Sequence, residues 1–274
     1  MWFLNRFEPA SAVNNVPAAI RISGALDVAA LNAAVIDVVG RHESLRTLYP
    51  DVDGVGYQEV RDVRDVVVDL SPVSITEDRL AAGVAELATD GFDVTSEVPL
   101  RVKLFKVGDS EYVLVFVVHH ISTDGFSMGP LTRDVMVAYE ARTRASVPAW
   151  TPLPVQYADY SLWQREVLGS EDDPQSVIAQ QIAFWSGALA DLPEQLELPG
   201  DRPRPEVASG RGAEVEFEID AALHKAVNSI AHSSNSTPFM VVHAARRRAR
   251  ACPQPRISRS VHRSRVVVRR SSTM

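Results

Sequence analysis

The period of the hydrophobic pattern changes repeatedly along the chain. Residues 16–22 (VPAAIRI) predict a strand. In residues 26–46 (LDVAALNAAVIDVVGRHESLR), Leu31, Ala34, Val35 and Val38 fall on one helical stripe, with Asp27 placed as the cap. Residues 56–60 (GYQEV) and 66–70 (VVVDL) predict short strands, the second ended by Pro72. Residues 76–92 (TEDRLAAGVAELATDGF) predict a helix with Thr76 at its start and Gly91 at its end. The clearest signal follows: RVKLFKV, the loop GDS and then EYVLVFVV, a hairpin over residues 101–118. Residues 126–144 (FSMGPLTRDVMVAYEARTR) return to a helical period.

Beyond residue 145 the signals weaken. The three prolines of SVPAWTPLPVQ (146–156) predict an extended linker, followed by helices at 157–168 (YADYSLWQREVL) and 177–189 (VIAQQIAFWSGAL). A second proline-rich linker, LPGDRPRPEVASGRG (198–212), suits a crossing between two lobes. It leads to an alternating strand at 213–219 (AEVEFEI) and a helix at 220–234 capped by Asp220. Another helix opens at 237–245 (TPFMVVHAA) with proline in its first turn. After Ala245 no period remains that would bury a face.

Composition alters this picture at one place. The net charge of -7 conceals a split: residues 246–274 hold ten arginines and no acidic residue, and the remaining 245 residues carry eighteen basic and thirty-five acidic side chains. The body should repel nucleic acid and the tail attract it. Two explanations of the tail compete, a nucleic-acid-binding arm and a chain that has left its reading frame; a third is an ordinary disordered tail that binds nothing. An abrupt change in mid-helix favours the frame shift. The 46% of apolar residues in 274 fits a globular protein with a sizeable core. No run of eighteen apolar residues occurs, and MWFLNRFEP at the start lacks the features of a signal peptide. The lone Cys252 excludes an internal disulfide and a cysteine-based zinc site. No membrane association and a cytosolic location are expected.

The chemistry lies where the most apolar strand ends, in His119-His120-Ile121-Ser122-Thr123-Asp124-Gly125. A histidine can move a proton near neutral pH. Strand alternation puts His119 and His120 on opposite faces, so only one can face a cleft. Gly125 offers close ligand approach or a positive φ. A helix starting near Phe126 would add free amides and its dipole. Together these suit a reaction that removes a proton and develops negative charge on an acyl oxygen. Adjacent strand histidines cannot chelate one metal ion, and no G-x-x-x-x-G-K or G-x-G-x-x-G motif is present. The bland alternative, two structural histidines, stays open on spacing alone.

HHISTDG resembles the HHxxxDG signature of the condensation domains of nonribosomal peptide synthetases. MWFL (1–4) is similar to part of that family's first motif, RHESLRT (41–47) to its second and YADYSLWQRE (157–166) to its fourth; LPGDRPRP (198–205) is familiar from the same domains. The sub-pattern resembles domains that join two L-residues. The resemblance implies an α/β fold, the two-lobed sandwich of chloramphenicol acetyltransferase, with a nearly complete N-terminal lobe and a C-terminal lobe only begun. It implies an N-terminal lobe over 1–175, a linker and the start of the second lobe over 176–245, and a disordered or frame-shifted tail over 246–274. His120 would be catalytic, taking the proton of the acceptor amine or orienting it. His119, Gly125 and Ser127 would shape the site, and Asp124 would be structural, ion-paired with Arg46. No cofactor or metal would be bound. Both substrates would ride the phosphopantetheine arms of separate carrier domains, with adenylation domains as further partners and no nucleic acid.

The chain departs from the full pattern: it begins inside the first motif, and the later motifs of the second lobe are absent where the arginines begin. The expected function is therefore a condensation-domain fragment, impaired in amide-bond formation. A coenzyme A-dependent acyltransferase of the same superfamily, a non-catalytic docking module and a product without function are the alternatives. Trp163, Trp185 and Tyr160 are expected in the core, His224 and His232 on the surface, and His42 in a structural role at a helix end.

Overall fold

The computed structural model describes residues 1–193, 203, 205–206 and 217–251, the side chains of 247–251 excepted. They form two compact units that divide after Ala190. In chain order the first unit comprises α1 (Trp2–Phe7), β1 (Asn15–Ser23), α2 (Val28–Arg41), a 3-10 turn (Glu43–Arg46), β2 (Thr47–Leu48), β3 (Asp51–Val52), β4 (Val55–Gly56), β5 (Glu59–Val60), β6 (Val73–Ser74), α3 (Glu77–Thr89), β7 (Leu100–Gly108), β8 (Glu111–His119), α4 (Met128–Thr143), α5 (Tyr157–Leu168) and α6 (Val177–Ala188).

A four-stranded sheet of order β1-β8-β7-β6 organises this unit. β8 pairs antiparallel with β1 and β7, and β6 runs parallel to β7. The apolar run of β8 is unbroken because both faces of the strand are buried. Leu114, Phe116 and Val118 pack with Leu31, Val35 and Val38 of α2 and with Leu131 and Val135 of α4. Val113, Val115 and Val117 pack on the other face with Phe92, Val94 and Phe105, against Leu80 and Val84 of α3. The mixed α/β fold expected from the sequence is the one formed.

The helix starts differ in how they are closed. Asp27 caps α2 by accepting from the Ala30 amide at 2.9 Å, whereas Thr76 stands at the N-cap of α3 without a side-chain bond. Residues 66–70 are not a strand: Val66 and Val68 pack on the core, Leu70 is fully buried and its amide donates to Asn32 Oδ1 at 3.0 Å. The β-branched run serves burial, not pairing. Gly91 cannot be replaced freely, because a Cβ there would lie 2.4 Å from the Ala10 carbonyl carbon. That close approach packs the 90–94 loop against the chain just before β1.

The aromatic residues of α5 and α6 are not in the core. Trp163 and Trp185 are 56% and 54% exposed and Tyr160 is 42% exposed. The i, i+3 spacing is satisfied within α5 itself, where Tyr157, Tyr160 and Trp163 follow one another at ring separations of 5.9 and 5.7 Å.

The second unit contains α7 (Ala221–Ser233) and α8 (Pro238–Ala251). Asp220 caps α7 through the Leu223 amide at 2.7 Å. His224 and His232 are exposed. The loss of period after Ala245 marks the loss of an apolar face and not the end of the helix, since alanine and arginine are both strong helix formers. The expected strand at 213–219 and linker at 198–212 lie largely outside the described residues, as do residues 252–274 of the tail.

Candidate active site

β8, an inner strand, delivers the two histidines to its C-terminal end. His119 continues the face of Val113, Val115 and Val117, is completely buried, and meets Phe92 edge-on at 6.1 Å between ring centroids. Its amide donates to the Pro99 carbonyl at 3.0 Å. His120 lies just beyond the strand with its side chain exposed, and its amide donates to the Asn14 carbonyl at 2.7 Å. One ring is thus sealed in the core and its neighbour is open to solvent. Burial, reinforced by the Met1 amine and His120, lowers the His119 pKa to about 4.

The loop after His120 is closed by Asp124. Its Oδ1 accepts from the Phe126 amide at 3.0 Å, the Ser127 amide at 2.9 Å and the Ser127 hydroxyl at 2.6 Å. The Ser127 hydroxyl also receives the Asp124 amide at 3.1 Å. Hydrogen bonds from Ser127, with smaller help from the charge of nearby His120, hold the Asp124 carboxyl below its ordinary value. The amides before α4, expected to be free for a developing oxyanion, are therefore occupied by this carboxylate.

The expected Asp124–Arg46 ion pair is not formed. Arg46 donates to the Arg61 carbonyl and to Glu43 Oε1, the latter at 3.4 Å. Asp124 makes its bonds within its own turn because amides two and three residues ahead lie nearer than any guanidinium. Nor is it hydrogen-bonded to His120. Gly125 does not take a positive φ, and open space lies where its Cβ would stand. Replacing Asp124 by alanine is expected to lower the melting temperature at pH 7, with most of the loss absent in Asp124→Asn, whose side-chain oxygen can still accept. The carboxylate's contribution should be present above its unfolded pKa and disappear as pH falls through the depressed folded value. An Asp124→Asn variant as unstable as Asp124→Ala would contradict the turn-closing role of this oxygen.

A second polar cluster ties the RHESLRT segment to α4, and sequence reasoning found only part of it. His42, expected at a helix end, is the C-cap of α2, and its Nε2 lies 2.8 Å from Asp134 Oδ2. Arg41 Nε donates to the same oxygen at 3.0 Å and Nη1 to the Thr151 carbonyl at 2.9 Å, with the guanidinium 4.9 Å from the Trp150 ring centroid. The Gln156 side chain donates to the Arg41 carbonyl and accepts from the Glu43 amide, at 3.0 and 3.3 Å. No sequence signal linked Asp134 to residues 92 and 93 positions earlier. Among the described residues no cluster of three or more His, Cys, Asp or Glu is arranged to hold a metal ion, and no helix is long and apolar enough to cross a membrane.

Comparison with known proteins matches residues 1–247 to the condensation domain. The chain is 51% identical over 245 residues to a probable non-canonical nonribosomal peptide synthetase, CymA, of Salinispora arenicola, covering 89% of this chain and 3% of that protein. Its fold is similar to the X-domain from teicoplanin biosynthesis, with a TM-score of 0.77, 38% identity and coverage of 86% of this chain and 51% of the X-domain. The same X-domain in complex with OxyB matches equally well, at a TM-score of 0.77 and 37% identity. The chain thus spans a small fraction of the curated synthetase and about half of the solved structures.

Proposed function

Because the chain belongs to the condensation-domain family of nonribosomal peptide synthetases, we propose that it serves amide-bond formation between two carrier-bound thioesters, with His120 acting on the attacking amine. The acceptor's amine nitrogen adds to the carbonyl carbon of the donor thioester, the C–S bond breaks, and the donor chain passes to the acceptor as an amide. The nitrogen gives up one proton and the departing sulfur takes one. His120 removes the amine proton or holds the amine for attack, within reach of an exposed imidazole. The observation that carries this reading is the pairing of an exposed His120 with a sealed His119 at the end of a strand whose backbone is held from both sides. Gly125, with nothing occupying its Cβ direction, leaves room for a thioester arm, and Asp124 with Ser127 closes the loop beneath. Arg46 supports the preceding segment from a separate position. The substrates ride phosphopantetheine on carrier domains loaded by adenylation domains, and the reading requires no cofactor.

The similarity to an X-domain seen in complex with OxyB favours a second reading, a docking module that keeps the fold. An intact condensation domain carrying this lobe, mixed with a donor-loaded and an acceptor-loaded carrier, separates the two. Mass spectrometry is expected to find the joined product on the acceptor carrier. Product only when a coenzyme A thioester replaces the donor carrier would mean an acyltransferase, and no product in either mixture would leave docking.

A further inference from the structure

We propose that His119 is a positioning residue: its Nδ1 is a fixed hydrogen-bond acceptor for the Ile121 amide and sets the turn that presents His120. The proposal rests on the reading of His120 as the reacting group, but its observations are independent of turnover. The Ile121 amide donates to His119 Nδ1 at 3.0 Å. A backbone N–H can only donate, so Nδ1 must carry its lone pair and the ring's single proton must sit on Nε2. The His119 carbonyl accepts the next amide, that of Ser122, at 3.0 Å. One residue thus takes up two successive amides of the turn, one with its ring and one with its backbone. With the His120 amide held by Asn14 at 2.7 Å, the backbone is fixed on both sides of the exposed imidazole.

The ring is itself held from several directions. Phe92 meets it edge-on, and the Arg101 guanidinium lies 3.9 Å from the Phe92 ring centroid. The Phe92 carbonyl is secured by Asn5 Nδ2 at 2.7 Å, and Arg101 also binds the Asp90 and Gly91 carbonyls. The charges that act on the ring are the Met1 amine before α1 and the adjacent His120, and both disfavour a proton there; Arg101 of β7, behind Phe92, is itself paired with Asp90 and Glu97. His119 Nε2 is buried without a partner among the described residues. The tautomer is therefore dictated from the Nδ1 side alone. Protonating Nδ1 would set two N–H groups against each other and open the turn, in keeping with a pKa lowered to about 4 by burial.

Long-range ¹H–¹⁵N NMR on the histidine-labelled 274-residue chain tests the assignment. His119 is expected as the neutral Nε2–H tautomer with no change between about pH 5 and 8, the range in which an ordinary histidine titrates. An Nδ1–H tautomer, or titration of His119 within that range, would overturn the proposal, and this result needs no variant. His119→Asn can supply an acceptor oxygen near the Nδ1 position, whereas His119→Leu keeps bulk without one. Ile121 is expected to stay protected from amide exchange in the asparagine variant and to lose protection in the leucine variant, with the His120 ring signals shifting only in the latter. Unchanged Ile121 exchange and His120 signals in His119→Leu would also overturn it. If instead these results hold while His120→Ala retains full condensation, it is the catalytic reading that fails.

Discussion

Replacing His120 by alanine in an intact condensation domain carrying this lobe is expected to slow amide-bond formation by about 10²–10⁴, the contribution typical of a positioned general base. The structure separates this effect from folding. The His120 ring is exposed and has no side-chain hydrogen bond among the described residues, so its loss should change stability by no more than about 0.5 kcal/mol. The backbone amide that anchors it to Asn14 survives the substitution. His119 behaves differently. A substitution there opens a sealed pocket, so its loss of rate should come with a loss of stability. The pH dependence is distinct as well: His119 is neutral when folded, with its pKa lowered to about 4, so its contribution to stability is present above its unfolded value and lost as pH falls through the folded one. His119 therefore does not account for a change of rate near neutral pH. A His120→Ala domain that keeps nearly its full rate, with carriers loaded to the same extent, would remove His120 from the chemistry.

What could be read from the chain alone divides by range. The sheet's centre was legible because burial on two faces writes an unbroken apolar run, as in Val113–Val118, and the stripe of α2 was legible because its period is local. The placement of His119 and His120 on opposite sides follows from strand geometry and needed no fold. The partner of Asp124 was misread, although its signal was local: an aspartate whose oxygen can accept the amides two and three residues on is an Asx-turn pattern, and an ion pair with Arg46 was expected in its place. VVVDL was misread because β-branched residues suit any buried extended segment, paired or not. α1 escaped notice because six residues carry too little period. The Asp134 cluster was beyond reach for another reason: its members come from positions 41, 42, 134, 151 and 156 and meet only once α2, α4 and the linker have folded together.

Removing the Asp134 carboxylate is expected to give the largest loss of stability among the polar substitutions considered. Asp134 is 3% exposed and faces two cationic or cation-forming side chains, Arg41 and His42, on one oxygen. Burial alone would raise its pKa, but the hydrogen bonds from His42 and Arg41 outweigh that and hold it below the ordinary value. Asp134→Ala leaves the Arg41 guanidinium without its carboxylate while Trp150 and the Thr151 carbonyl still hold it in place. Breaking one side of a buried pair costs about 3–5 kcal/mol, and the low end, about 3, applies because Arg41 and His42 retain some contact with solvent. Asp134→Asn should fall between the parent and Asp134→Ala, since it keeps an acceptor but not the charge. The sign with pH follows from the depressed pKa: the carboxylate's contribution is present above its unfolded value and vanishes as acid takes the folded group through its own, so parent and variant should converge in acid. Urea denaturation at pH 7 and in acid measures both effects, and a difference at pH 7 below about 0.5 kcal/mol, the size of an ordinary surface change, would dismiss the cluster as an anchor. The consequence reaches the candidate site through α4, which starts where the His120 loop ends. The carboxylate that fastens α4 to the end of α2 also fastens the loop's downstream end, while Asn14 and His119 fasten its upstream one. Loss of Asp134 should therefore loosen the backbone around His120 in hydrogen exchange even under conditions where the sheet itself remains protected.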